Sequence, residues 1–201
     1  MIRVLLAEDQ DLVRGAMAAL LSMEPDIEVV AEIDRGDEVL TAALQSRPDV
    51  ALLDIEMPGV DGIAAAAALR AGLPQCRVLM LTTFGRPGYL RRAMSSGAAG
   101  FMLKDAPAAE LAVAIRRAAR GERVLDPQLA AQALSDGDSP LSSREAEVLV
   151  SAVDGSSAAD VARRLFLSEG TVRNHLSAAI QKLGARNRME AARIAREKGW
   201  I

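Results

Sequence analysis

The sequence is poor in the side chains on which most redox and transition-metal sites depend. Its 201 residues include one cysteine, one histidine, one tryptophan and one tyrosine. The lone Cys76 excludes an internal disulfide and a thiolate cluster, so we interpret it as a small core residue. His175 has no second histidine with which to share a metal ion, and the cysteine is distant in sequence. Redox chemistry is therefore not expected.

Long hydrophobic runs are also missing. No apolar stretch approaches the roughly 20 residues that cross a bilayer, and the N-terminus has neither the basic start nor the apolar core of a signal peptide. We therefore expect a cytoplasmic protein with no membrane partner. Half of the residues are hydrophobic, and the length suffices for two modest domains, each with its own core.

Charge is divided unevenly along the chain, although the net charge is only -3. Up to Asp138 there are 14 Lys and Arg against 20 Asp and Glu, whereas from Ser139 onward there are 10 against 7. An acidic first part thus precedes a basic second part. A basic module suggests a polyanionic partner, although ordinary solvated helices often carry such a small excess.

The first part alternates continuous apolar runs with segments of helical periodicity. The predicted strands are Ile2–Ala7, Ile27–Ile33, Val50–Leu53, Val78–Leu81 and Gly100–Leu103. The predicted helices lie near 11–22, 36–46, 61–71, 87–96 and 107–120. Five such units predict an α/β fold with a doubly wound, five-stranded parallel sheet in the flavodoxin-like order 2-1-3-4-5. Continuous hydrophobicity is typical of parallel strands, because both faces of their sheet are buried.

Acidic residues follow two of these strands. Glu8 and Asp9 come directly after the first strand, and Asp54 after the third. Those strands are neighbours in the predicted order, so three acids converge at the carboxyl edge where ligands bind. Their repulsion is relieved by a hard divalent cation, and Mg²⁺ suits a site of few carboxylates. The alternative, that all three are merely acidic helix caps, explains one such residue more readily than three.

Two other strand ends add a hydroxyl and a cation to the same edge. Thr82 closes the fourth strand and Lys104 closes the fifth. Taken singly, Thr82 would be a capping residue and Lys104 a solvated charge. Because each of these groups closes its own strand, in this order, we interpret them as one site.

These motifs resemble the receiver domains of two-component response regulators over about the first 120 residues. The resemblance is carried by Glu8-Asp9, Asp54 followed by "IEMPGVDG", Thr82 and Lys104-Asp105. It implies that Asp54 takes a phosphoryl group from a sensor histidine kinase. It also implies that Mg²⁺ is held by Glu8, Asp9, Asp54 and the backbone carbonyl of Glu56.

The same resemblance gives roles to the remaining groups. It implies that Lys104 pairs with the phosphoryl oxygens and that Thr82 closes on them. Phe101, three residues before Lys104, stands where relatives often carry a switching tyrosine. A switch and simple core packing are both open interpretations of Phe101.

The second part is a small all-α module. Helical periodicity predicts four helices near 142–153, 158–165, 169–182 and 188–198. Before it, "GERVLDPQLAAQAL" predicts a connector with a short amphipathic helix, and "SDGDSP" predicts a break. The predicted domains are 1–121 for the receiver, 122–140 for the linker and 141–201 for the helical domain. Ser143 is expected to cap the first of the four helices.

Two of these helices fit a helix-turn-helix. Ser168 is a good N-cap for the second, and Arg173, Asn174 and Ser177 lie opposite its apolar face. Arg and Asn suit guanine and adenine edges in a major groove. An ordinary amphipathic helix would also expose an arginine, so this observation favours DNA binding only modestly.

The full terminal segment resembles the DNA-binding domain of LuxR and NarL–FixJ regulators. The motifs are "LSSREAEVL", "VARRL", "SEGTVRNHL" and "KLGARNRMEA". The resemblance implies base contacts by Arg173 and Asn174, with base preference at Ser177 left open. It implies phosphate contacts by Thr171, His175, Lys182 and Arg163. The strings "AEDQ" and "TTFGRPGYLRRA" also resemble regulators paired with DesK-type membrane-sensing kinases.

We therefore expect a phosphorylation-controlled transcription factor that binds double-stranded promoter DNA and forms a homodimer on phosphorylation, with RNA polymerase as a further partner. A second copy is expected because one helix-turn-helix makes few contacts. Apolar residues of helices one and five are candidates for the dimer surface or for the core. They are Leu12, Met17, Leu20, Leu21, Leu111, Ile115 and Ala118.

Two alternatives remain open from the sequence. Asp54-Ile55-Glu56 loosely resembles an aspartyl-phosphate phosphatase of the haloacid dehalogenase type, but those enzymes place the nucleophile on their first strand. A ligand-sensing transcription factor predicts a glycine-rich first turn or sugar-binding aromatics, and the sequence offers neither. The regulator is accordingly expected not to be an enzyme, beyond taking part in its own phosphorylation and dephosphorylation.

Overall fold

The computed structural model describes residues 1–83, 87–125, 139–153 and 155–201. These residues belong to two compact units, one built around a β-sheet and one made of helices. Within the described ranges, no helix has both the length and the apolar character needed to span a bilayer.

The first unit is a parallel sheet. Its strands are β1 (Ile2–Ala7), β2 (Ile27–Ile33), β3 (Val50–Asp54), β4 (Arg77–Thr82), β5 (Gly100–Leu103) and β6 (Val124–Leu125). They lie in the order β2-β1-β3-β4-β5-β6, and every neighbouring pair is parallel. The predicted α/β fold and the order of the first five strands are confirmed, but the predicted count of five is one strand short.

The additional strand β6 belongs to the segment that the sequence assigned to the linker. Val124 pairs with Gly100, and its N–H donates to the carbonyl of Ala99 at 3.0 Å. Two residues are too few to produce a periodic pattern, so the pairing is visible only in three dimensions. Most of the short helix predicted in the linker falls within 126–138, outside the described residues.

Helices connect the strands. They are α1 (Asp11–Ser22), α2 (Val39–Ser46), α3 (Gly62–Gly72), α4 (Pro87–Ser95) and α5 (Ala108–Ala119). The segment predicted as one helix at 36–46 begins with a 3-10 turn at Gly36–Glu38. Along β1, Val4 and Leu6 pack with α1 and α5, and the intervening Leu5 is buried on the opposite face. Both faces of the sheet are therefore covered, as the unbroken apolar strands predicted.

Most of the candidate dimer residues belong to this core. The buried ones are Met17, Leu21, Leu111, Ile115 and Ala118. Leu12 and Leu20 are exposed, at 86% and 45% of their surface. The core interpretation therefore holds for five of the seven residues, because the apolar stripe of each helix faces the sheet.

The second unit contains the four predicted helices. They are α6 (Ser143–Ser151), α7 (Ala158–Leu165), α8 (Glu169–Lys182) and α9 (Arg188–Glu197). Val148, Val161 and Leu176 lie in its hydrophobic core. The cap of α6 is Ser142, which accepts from the N–H of Glu145 at 3.3 Å, and Ser143 is the first helical residue. The predicted cap at Ser143 is therefore wrong by one position.

Candidate phosphoryl pocket and nucleic-acid interface

The turn after β3 places Asp54 at the edge of the sheet. Asp54 is the last residue of the strand and only 5% exposed, and its Oδ1 accepts from the N–H of Ile55 at 2.7 Å. The N–H of Gly62 donates to the carbonyl of Ile55 at 3.0 Å. A Cβ at Gly62 would lie 1.8 Å from the carbonyl oxygen of Asp54, so only glycine lets α3 start this close to the strand.

The other two acids reach the same place from β1. Glu8 is fully buried, whereas Asp9 is exposed. Carboxylate oxygens of Glu8, Asp9 and Asp54 all lie within 4.8 Å of one another. The structure thus forms the acidic cluster that the strand order predicted.

A lysine is inserted between two of these carboxylates. The Nζ of Lys104 lies 2.6 Å from Oε2 of Glu8 and 3.0 Å from Oδ2 of Asp54. Its side chain is only 8% exposed. The sequence placed Lys104 at this edge of the sheet, but the direct contact with Glu8 was not predicted.

Burial controls the electrostatics of the pocket. It raises the pKa of Asp54 to about 6, although the hydrogen bond and charge of Lys104 act in the opposite direction. Burial also lowers the pKa of Lys104, but hydrogen bonds to Glu8 and Asp54 outweigh this effect and leave the pKa above its ordinary value. When ionised, three carboxylates beside one ammonium leave an excess of negative charge. A hard divalent cation with oxygen ligands fits that excess.

The other predicted receiver residues lie on β4, on β5 and in the turn after β3. Thr82 is the buried last residue of β4, and its carbonyl accepts from the N–H of Lys104 at 2.8 Å. Phe101 is fully buried in β5, where it pairs with Met80. Glu56 follows Asp54 by two residues and has an exposed side chain. The ends of β3, β4 and β5 thus bring Asp54, Thr82 and Lys104 to one rim.

In the helical unit, α8 presents the predicted polar surface. Ser168 caps the helix by accepting from the N–H of Thr171 at 3.1 Å, which confirms the predicted N-cap. Val172, Leu176 and Ala179 are buried. Arg173, Asn174 and Ser177 are all exposed on the other side. The exposed set is the one expected for a helix that enters a major groove.

Three of the predicted DNA-contacting cations already hold acidic partners. Arg173 Nη2 lies 2.8 Å from Oε2 of Glu169. Arg163 pairs with Asp160, one turn earlier in α7. Lys182 Nζ lies 2.7 Å from Oε2 of Glu145, which reaches it from α6. The first two pairs could have been found from their spacing of four and three residues, whereas the Lys182 pair depends on the tertiary fold.

The remaining two predicted contacts are half-buried. Thr171 shares a hydrogen bond of 2.8 Å with Ser168 through their hydroxyls. His175 lies one turn further along α8. Both lie on α8.

Comparison with known proteins identifies relatives for both units. The sequence profile described as "Response regulator receiver domain" matches residues 4–116, and that described as "Bacterial regulatory proteins, luxR family" matches residues 139–195. The chain is 46% identical to the transcriptional regulatory protein YvfU of Bacillus subtilis and 42% identical to DesR of the same organism, over the full length of all three. It also resembles the crystal structure of the response regulator ChrA of a heme-sensing two-component system. That match has a TM-score of 0.59 and 38% identity, and it covers 100% of this chain and 98% of ChrA.

Proposed function

Because this chain belongs to the two-component response regulators that join a receiver domain to a LuxR-type DNA-binding domain, we propose that Asp54 accepts a phosphoryl group from a sensor histidine kinase. The observation that carries this proposal is the position of Asp54 among a buried ammonium and two other carboxylates. Lys104 lies 3.0 Å from it, and Glu8 and Asp9 lie in the same cluster. This arrangement provides a nucleophile beside groups that can balance the charge of a phosphoryl donor.

The donor set of the cluster fits Mg²⁺. Glu8, Asp9 and Asp54 offer only oxygen atoms, and we assign the backbone carbonyl of Glu56 as a further ligand. When bound, Mg²⁺ supplies positive charge that offsets the charge on the transferring phosphoryl group.

The protein side chains perform the transfer as follows. A carboxylate oxygen of Asp54 forms a bond to phosphorus while the bond from phosphorus to the donor histidine nitrogen breaks, and that nitrogen keeps the electron pair. With a pKa of about 6, Asp54 is mainly ionised at neutral pH and ready to attack. Lys104 pairs with the phosphoryl oxygens, which replace the carboxylate of Asp54 as its partner. Thr82 then closes on the same oxygens, and Phe101 is the aromatic switch in β5.

The helical unit reads DNA through α8. We assign base contacts to Arg173, Asn174 and Ser177, which are exposed on one side of the helix. Phosphate contacts are assigned to Thr171, His175, Lys182 and Arg163. Lys182 has three N–H donors, of which Glu145 engages two, so one remains for a phosphate.

We assign 1–121 to the receiver, 122–140 to the linker and 141–201 to the DNA-binding domain.

Phosphorylation is proposed to act through dimerisation of the protein. The phosphorylated protein forms a homodimer, which places two copies of α8 on neighbouring half-sites of promoter DNA. RNA polymerase is the further partner through which the bound dimer regulates transcription.

The receiver assignment is tested with acetyl phosphate and Mg²⁺. Intact-mass measurement should show one phosphoryl group on the wild type and none on Asp54→Asn. Labelling of Asp54→Asn at the wild-type rate would refute the assignment, and steady turnover of the donor without a stable label would indicate a phosphatase. A genomic footprint with and without phosphodonor tests the DNA-binding half.

A further inference from the structure

The recognition helix α8 carries an acidic residue at the end that the proposed function places against DNA. Glu169 is the first residue of α8, directly after the cap Ser168, and its side chain is half-exposed. DNA phosphates repel a carboxylate, so this residue weakens non-specific binding rather than strengthening it. Among the described residues, its Oε2 pairs with Nη2 of Arg173 at 2.8 Å.

We propose that Glu169 is a positioning residue for Arg173, and that it raises the specificity of DNA recognition by orienting the guanidinium towards a guanine edge. The inference rests on the proposed function, because it deepens the base-reading role assigned to Arg173. Glu169 itself need not touch DNA.

The local geometry supports this role. Residues 169 and 173 are four positions apart, so their side chains meet on one face of the helix, and glutamate before the cation is the favourable order. The Arg173 side chain is 68% exposed, and an unpaired arginine in that position would sample many rotamers. Among the described residues, the ion pair with Glu169 is the polar contact that holds Arg173 in place.

The pair leaves Arg173 able to read a base. A guanidinium has five N–H donors in a rigid plane, and Glu169 engages one of them. The donors that remain suffice for two parallel hydrogen bonds to O6 and N7 of guanine. An oriented guanidinium therefore loses less conformational entropy when it binds the correct base.

The carboxylate of Glu169 also disfavours contacts between Arg173 and DNA phosphates. A free arginine on this surface would also bind the phosphates of any duplex, which supplies affinity without sequence information. To reach a phosphate, Arg173 would have to break its ion pair with Glu169 or bring the Glu169 carboxylate close to the negatively charged DNA backbone. Glu169 should therefore lower affinity for random DNA more than for the preferred site.

A purely structural role for Glu169 makes a different prediction. An acid in the first turn complements the helix dipole, and an exposed pair adds slightly to helix stability. Those effects would alter all DNA binding equally. Helix α9 offers a matched control, because Arg193 and Glu197 form a pair with the same spacing at 2.6 Å, with side-chain exposures of 59% and 58%.

The test uses the full-length protein activated with beryllofluoride and Mg²⁺, and a duplex that the activated wild type selects from a random library. Fluorescence anisotropy gives Kd for that duplex and for a scrambled duplex, and their quotient is the specificity ratio. Glu169→Asp is the informative variant, since it keeps the charge and an acid at the helix start but shortens the side chain by one methylene. The other variants are Glu169→Gln, Arg173→Ala, the double variant of Glu169→Asp with Arg173→Ala, and the control Glu197→Asp. Thermal melting followed by circular dichroism verifies folding.

We expect Glu169→Asp to lower the specificity ratio by about fivefold to tenfold, which lies within the range of coupling between contacting side chains. Glu169→Gln should lower it similarly while raising affinity for the scrambled duplex. Glu197→Asp should leave the ratio unchanged, and Glu169→Asp should have no further effect on the ratio when Arg173 is already alanine.

Three results would overturn the inference. They are a wild-type ratio in Glu169→Asp, an equal change on both duplexes in Glu169→Gln, and the same loss with and without Arg173. If Arg173→Ala binds the selected duplex normally, or the wild type selects no consensus, the base-reading part of the proposed function fails as well. If only the predicted effects of the Glu169 variants fail to appear, the base-reading role assigned to Arg173 still stands.

Discussion

At the scale of single residues, the proposed phosphoryl pocket of Glu8, Asp9, Asp54 and Lys104 is governed by buried charge. Glu8 and Asp54 are both withdrawn from water, and Lys104 is the buried cation that separates them. Desolvation penalises every ionised group in such a place, so the cluster is maintained at a cost in stability. Sites of this kind lose stability for the sake of reactivity.

Asp54→Asn should stabilise the protein in the absence of divalent cations. The folded-state pKa of Asp54 is about 6, above the ordinary 3.8, so folding favours its protonated form. Ionisation of Asp54 therefore lowers the free energy of unfolding as pH rises from about 4 to about 6, and the full penalty is present at higher pH. Removing the charge should raise the free energy of unfolding by about 1–3 kcal/mol at pH 8, since each pKa unit corresponds to about 1.4 kcal/mol. The increase should be much smaller at pH 4.

Urea denaturation in EDTA at both pH values measures this gain. Asp105→Asn is the control, because Asp105 is an exposed carboxylate at the same rim. An Asp54→Asn protein that is no more stable than wild type at pH 8 would show that burial does not disfavour the ionised form.

Mg²⁺ should stabilise the wild type by neutralising the same cluster. At a concentration about 100 times the Kd, binding to the folded state alone adds about 2.7 kcal/mol. Differential scanning fluorimetry at constant ionic strength would detect the rise in Tm. The double variant of Glu8→Gln with Asp9→Asn should lose the effect, and an equal rise in that variant would place the cation elsewhere.

At the scale of secondary-structure elements, features set by the local sequence could be predicted, whereas features that depend on tertiary contacts could not. Strands β1 to β5 and helices α6 to α9 follow from period and capping, which act within a few residues. The sequence could not predict β6, because Val124–Leu125 becomes a strand only through the free edge of β5. In the same way, Glu145 and Lys182 are 37 residues apart, so no local pattern indicates their ion pair.

That ion pair gives a pH-dependent prediction for the helical unit. The hydrogen bond from Lys182 holds the pKa of Glu145 below its ordinary value of 4.5. A lowered carboxyl pKa means that the stabilisation is present above about pH 4.5 and is lost as pH falls through the folded-state pKa. Glu145→Gln retains the capping geometry of α6 but lacks the charge, so it should lower the free energy of unfolding by about 1.5–3 kcal/mol at pH 7, typical of a hydrogen bond to a charged group.

The stability of Glu145→Gln and wild type should converge in acid. Thermal melting of the helical unit at pH 7 and at pH 3 tests this, with Glu197→Gln in the exposed pair of α9 as the control. A constant difference at both pH values would mean that packing, and not the ion pair, carries the effect.

At the scale of the whole molecule, the proposed function assigns phosphoryl acceptance to an acidic sheet unit and DNA binding to a basic helical unit. The strand order and the pocket could be predicted because parallel strands end at one edge. The dimer surface could not, because the apolar residues of α1 and α5 serve mainly the core, and those exposed in α1, Leu12 and Leu20, form no distinctive pattern.

Beryllofluoride with Mg²⁺ should convert the protein from monomer to dimer. The phosphoryl analogue adds charge at Asp54 and gives Lys104 and Thr82 a new partner. Size-exclusion chromatography with light scattering should show a doubled mass for wild type and no change for Asp54→Asn. A mass that stays monomeric in the wild type would contradict activation by dimerisation while leaving phosphorylation itself untouched.

Asp54 is proposed to form an acyl phosphate within the acidic pocket, and the position of that modification can be measured. After treatment with acetyl phosphate and Mg²⁺, borohydride reduces an aspartyl phosphate to homoserine, which peptide mass spectrometry can assign to one position. We expect homoserine at residue 54 and at no other aspartate. Homoserine at residue 9, or no conversion at residue 54, would show that Asp54 is not the phosphoacceptor.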